Sequence, residues 1–144
     1  MKIVVDTNIV ISAIINDKGK IGELLLYKPA DIQFFSSFFL IDELNKHTEK
    51  ILKITGYGKP DFQQVKSLLL KEIDFVGPEK ISRDNWKISH QMLLEIDEND
   101  TAFLALNFEI DGLLWTGDKK LIKVLETKGY HNIITTDNLY SKYF

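Results

Sequence analysis

The sequence predicts a parallel α/β sheet on two observations: five short, uniformly apolar runs, and helical segments between each consecutive pair of them. Strands covered on both faces are continuous β-branched and aromatic runs rather than alternating ones. Strands that alternate with helices join by right-handed crossovers into a parallel sheet. Size agrees with this. A chain of 144 residues, 44 % hydrophobic and 27 % charged, suits one domain over residues 1–144 that buries a substantial core.

The elements follow in order. Residues 3–5 form the first strand, and helices at 8–15 and 20–27 follow it. A second strand at 32–36 leads into one long helix over 37–54. On that helix Leu40, Leu44, His47 and Ile51 make a buried stripe, and Lys46, Lys50 and Lys53 a basic one. Thr55-Gly56-Tyr57-Gly58-Lys59-Pro60 is a loop to a helix at 61–71. The strand at 73–76 precedes helices at 82–94 and 100–108. In the first of these, Trp86, His90 and Leu94 recur at helical spacing and face a core or an interface. The second contains Thr101-Ala102-Phe103-Leu104-Ala105-Leu106, apolar on nearly all sides and therefore buried. A strand at 112–116 carries the core residue Trp115, and a helix at 119–128 and a strand at 132–135 follow. The aromatic tail Leu139-Tyr140-Ser141-Lys142-Tyr143-Phe144 docks on the body or on a second copy.

Composition removes several classes of function. With no cysteine, disulfides, thiolate catalysis and Cys-ligated zinc are excluded. His47, His90 and His131 are scattered and make no His-rich metal site. A net charge of −3, with Arg83 the only arginine, argues against a protein that coats nucleic acid, but not against contact through a metal ion. No run approaches the ~18 apolar residues of a membrane span, and the start lacks a signal peptide's apolar region. The expectation is a cytoplasmic protein.

In parallel α/β sheets, ligands bind beyond the carboxyl ends of the strands at a topological switch point. Asp6 directly follows the first strand and Asp118 the strand at 112–116, so each is either a helix N-cap or a ligand. Glu95-Ile96-Asp97-Glu98-Asn99-Asp100 crowds four acids ahead of a buried helix, a repulsion that a bound cation relieves. Asp100 adjoins the buried run and points inward, whereas Asp97 is a helper or a solvated loop acid. Glu43 stands at the border of the buried and basic stripes. It either enters a cleft flanked by cations or pairs at the surface with His47 or Lys46. Carboxylates from separate elements, without thiols, suit Mg²⁺ or Mn²⁺. Such ions acidify water and neutralise charge on a transferring phosphoryl group, singly or as a pair.

Val4-Val5-Asp6-Thr7-Asn8, then Glu43 within a helix, then Asp97-Glu98-Asn99-Asp100-Thr101-Ala102, then Leu114-Trp115-Thr116-Gly117-Asp118-Lys119-Lys120-Leu121 together resemble a PIN domain, in order and over essentially the whole chain. The resemblance implies a three-layer α/β sandwich, with a central mostly parallel sheet flanked by helices. It also implies a Mg²⁺- or Mn²⁺-dependent endoribonuclease that leaves a 5′-phosphate and a 3′-hydroxyl. On that resemblance Asp6, Glu43, Asp100 and Asp118 are the catalytic, metal-binding quartet, Asp97 is an extra acid near the metal, and Asn8 and Thr116 are polar supports. Many small members resemble VapC-type toxins, which implies a small antitoxin partner and a homodimer.

With one arginine, lysines at 46, 50, 119 and 120 (Lys46, Lys50, Lys119, Lys120) must guide RNA, helped by Lys53 and Lys123, as point charges without a bidentate fork. The other reading of these lysines is a solvated helix face. A haloacid-dehalogenase-type phosphatase needs a second acid where Asn8 stands. A receiver domain needs an acidic pair and a better phosphoacceptor than Asp74. The alternatives that survive are a non-catalytic PIN-like RNA- or protein-binding module and a housekeeping RNA-processing nuclease.

Overall fold

In the computed structural model, which describes residues 1–144, five strands pair in the order β3-β2-β1-β4-β5. They are β1 (Lys2–Val5), β2 (Gln33–Ser37), β3 (Ile73–Val76), β4 (Leu113–Trp115) and β5 (Ile133–Ile134), and every neighbouring pair is parallel. Ile3, Val4 and Val5 are fully buried, as a central strand covered on both faces requires. In register, Val4 lies beside Phe35 and Leu114, and Val5 beside Trp115.

The chain steps outward from β1 to β3 and then returns to β4 on the other side of β1. The crossovers α1 (Thr7–Ile15), α2 (Lys20–Leu26), α3 (Phe39–Lys46), α4 (Thr48–Thr55) and α5 (Lys59–Leu70) serve the outward walk. Those of the return are α6 (Arg83–Met92), α7 (Thr101–Ile110) and α8 (Lys119–Thr127). Right-handed connections put the two sets on opposite faces, which makes three layers. α7 packs across β1, β2 and β4 with α6 against it, and α1 gathers α2, α3, α4 and α5. Phe103, Leu104, Ala105 and Leu106 of α7 are all buried. Phe34 and Trp115 stack at 5.8 Å between ring centroids within the core. The crevice where the direction of travel reverses opens between the carboxyl ends of β1 and β4, immediately before Asp6 and Thr116. No helix is long and apolar enough to cross a membrane.

Two expectations change, and one open alternative is decided. The helix foreseen over 37–54 is two helices, because His47 leaves the α-helical region at φ −100°, ψ 7°. At the break the Thr48 hydroxyl bonds the Leu44 carbonyl at 2.9 Å, and the turn lets α4 pack on α1 while Ile51 stays buried. The Trp86–His90–Leu94 face belongs to the core only at Trp86, which packs against it half-buried: His90 is exposed and Leu94 is 65 % exposed. α6 stops at Met92 and buries Ser89, with Leu93 just beyond it, so the inward face lies one residue earlier. The aromatic tail forms a ninth helix, α9 (Thr136–Tyr143), docked on the protein's own body. Leu139 is buried, Tyr140 donates to Glu23 at 2.6 Å and Tyr143 to Asp31 at 3.0 Å.

Candidate metal centre

Asp6 directly follows β1 and caps α1, with Oδ1 accepting the Ile9 N–H at 3.0 Å. It is 4 % exposed. Burial raises its carboxyl to a pKa of about 6, partly offset by hydrogen bonds from Thr116 and Ile9, while the charges of Asp118 and Glu43 push the same way as burial. Asp118 caps α8, its Oδ1 accepting from Lys120 at 3.0 Å and Leu121 at 3.2 Å. The fully buried Thr116 hydroxyl accepts the Asp118 N–H at 3.2 Å and also lowers the pKa of Asp6, so it acts on both strand-end acids.

Asp100 precedes α7 but makes no side-chain cap to it. Burial, then the charges of Asp6, Asp97, Asp118 and Glu43, raise its pKa to about 7. Asp97 is exposed and accepts the Asn99 N–H at 2.9 Å. Glu43, on α3, pairs with neither His47 nor Lys46: the only ion pair in the chain is Lys20–Asp137. Its Oε1 accepts the Thr7 hydroxyl at 2.5 Å instead.

One cavity of about 330 Å³ joins these groups, with Asp6, Glu43, Asp97, Asp100 and Asp118 on its wall and Phe103 its single hydrophobic residue. Asn8 lines it as an exposed residue, whereas the hydrogen bond that orients Glu43 comes from Thr7. None of Lys46, Lys50, Lys119 and Lys120 lines it; all four are exposed, and Lys50 lines a neighbouring apolar groove.

The donor set suits a hard divalent cation: five carboxylates, no thiol, and two acids whose charge the site resists. No three of these side chains, however, are gathered closely enough to hold an ion as they stand. Unneutralised carboxylates facing one cavity repel one another.

Thr7, His47 and Asn99 also reach the cavity, and sequence reasoning did not assign them to it. Thr7 carried a local signal, a hydroxyl directly after the first-strand acid. His47 carried none, because its place depends on the break between α3 and α4.

A family model described as PIN domain matches residues 4–137. No curated protein matches the chain. The crystal structure of VapBC2 from Rickettsia felis bound to a DNA fragment from their promoter is similar with a TM-score of 0.64 and 17 % identity, covering 94 % of this chain and 97 % of that one. VapBC-1 from nontypeable Haemophilus influenzae is similar with a TM-score of 0.68 and 17 % identity, covering 95 % of this chain and 99 % of that one. At such identity the likeness to both is one of fold.

Proposed function

This chain belongs to the PIN domain family, and from that premise we propose that it is a Mg²⁺- or Mn²⁺-dependent endoribonuclease, the toxin of a toxin–antitoxin pair. The observation that carries the reading is the single acidic cavity at the sheet's switch point, entered by carboxylates from four separate elements. In this reading Asp6, Glu43, Asp100 and Asp118 hold the cation, and Asp97 adds charge at the rim. The bound ion supplies Lewis acidity toward a phosphodiester and acidifies water. Thr7 holds one oxygen of Glu43, and Thr116 orients Asp6 and the turn that carries Asp118. Such outer hydrogen bonds aim ligands and tune their basicity. The fold-level likeness to VapBC complexes supports a small antitoxin partner, and a cytoplasmic homodimer accompanies the proposal.

The test is cleavage of a single-stranded RNA in Mn²⁺ and in EDTA, resolved on a denaturing gel. Asp6→Asn and Asp118→Asn each abolish cleavage while the circular dichroism spectrum stays that of the wild type. Both variants cutting at the wild-type rate would sink the assignment. The spacing of the carboxylates favours one other reading, a non-catalytic PIN-like module. That reading requires no cleavage and no thermal stabilisation by Mn²⁺.

A further inference from the structure

We propose that the RNA strand leaves the acidic cavity along the α1–α2 side, its ribose–phosphate backbone lying in a polar trough that ends at Lys20; this rests on the ribonuclease reading above. The acidic cavity shares Asn8 and Asp118 with a second cavity of about 300 Å³. That one shares Ser12, Ile21 and Thr136 with a third of about 370 Å³, which Asn16 and Lys20 also line. The three therefore lie side by side, each bordered by residues of the next.

Along the α1 wall stand Asn8, Ser12 and Asn16, all exposed. Asn8 and Ser12, four residues apart, share a face of α1 about 6 Å apart along its axis, and Asn16 follows at the residue that ends the helix. Neutral amides and hydroxyls bond phosphate oxygens and 2′-hydroxyls without the repulsion that carboxylates impose. The opposite wall is Thr136, whose hydroxyl accepts the Trp115 indole N–H at 3.0 Å. That bond ties the trough to β4, the strand that delivers Asp118. At Gly117 the trough is open, since a Cβ there would meet nothing within 4 Å.

Lys20 closes the outer end. Its Nζ is 3.0 Å from Asp137 Oδ1 and 5.4 Å from the centre of the Tyr140 ring, and both members of the ion pair are exposed. An exposed pair of this kind is weak and yields to a phosphate. The groove on the other side of the acidic cavity is reached past Asn8 and His47. Ile11, Ile15, Ile51 and Ile54 make up most of its lining, and Lys50 is its one lysine, so it offers a sugar–phosphate chain a single cation on an otherwise largely apolar wall.

The experiment measures KM and kcat/KM for a single-stranded oligoribonucleotide in Mn²⁺ across a KCl series. Lys20→Ala raises KM several-fold, and the slope of log(kcat/KM) against log[KCl] becomes shallower by about 1. Asp137→Asn lowers KM, because it frees Lys20 and removes a charge that repels phosphate. Both substitutions break the same ion pair, so a purely structural effect moves them in the same direction. The proposal requires opposite directions. Equal shifts, no shift, or a rise in KM with Lys50→Ala alone overturns it while leaving the ribonuclease reading intact. A wild-type protein that cleaves no RNA in Mn²⁺ overturns both.

Discussion

Asp6 and Asp118 each serve as a helix cap and as a wall of the acidic cavity, and the two roles do not compete. In each residue Oδ1 takes the backbone N–H groups and leaves Oδ2 free of that duty. Asp100 has no capping role, and its cost is visible in its pKa of about 7 against an ordinary 3.8. A carboxyl whose folded pKa is raised holds its proton longer in the folded state. The stability it contributes is present below its ordinary pKa and lost as pH rises through about 7. Asp6, at about 6, acts in the same direction over a lower window. In EDTA, thermal melts from pH 5 to pH 8 therefore show a falling melting temperature. Asp100→Asn flattens that fall and melts higher than wild type at pH 8. Because a cation displaces these protons, stabilisation by Mn²⁺ grows over the same range. Thr7→Val, which removes the hydroxyl on Glu43, lowers Mn²⁺ affinity or cleavage by about 10–100-fold and leaves the fold unchanged by circular dichroism.

At the scale of elements, most of the fold was legible because its signals are local. The apolar run before Asp6, the all-round apolar face of α7 and the Gly56 turn, at φ 73°, are set by neighbours in sequence. The break at His47 was not legible, because the stripe through Leu40, Leu44 and Ile51 reads the same whether the helix is straight or bent. What bends it is packing of α4 on α1, from outside the segment. The start of β4 depends on a close approach of the same kind. A Cβ on Gly112 would lie 2.8 Å from the Lys2 carbonyl and 3.0 Å from Asn107 Oδ1. Gly112→Ala therefore destabilises the protein by about 1–3 kcal/mol in urea unfolding. A substitution without effect would show that β1 and β4 can separate freely beside the site.

For the whole molecule, strand order decides where chemistry can occur. Asp6 and Asp118 are more than a hundred residues apart in sequence, yet β1 and β4 are neighbours and their ends flank the switch point. The C-terminal helix packs on α2, with Leu139 buried and Tyr140 bonded to Glu23, and its Tyr143 reaches Asp31, just before β2. Truncation after Thr135 loses the burial of Leu139 and both phenol–carboxylate bonds. It lowers unfolding free energy by at least ~2 kcal/mol, read as a lower denaturation midpoint. An unchanged midpoint would mean that α9 contributes nothing to the body it lies on.

The amino-acid sequence by itself determined the strands, most of the helices, the acids that begin α1 and α8, and the exclusion of thiol chemistry. Each of these follows from residue type and spacing within a few turns of chain. Tertiary structure alone decided that Thr7 rather than His47 or Lys46 holds Glu43, that the lysines foreseen for RNA stand outside the acidic cavity, and that a neutral trough along α1 adjoins it. It also decided that five carboxyl groups face one space without being drawn together. Those are distances between segments far apart in sequence, and packing of the layers sets them, not any local preference of the chain.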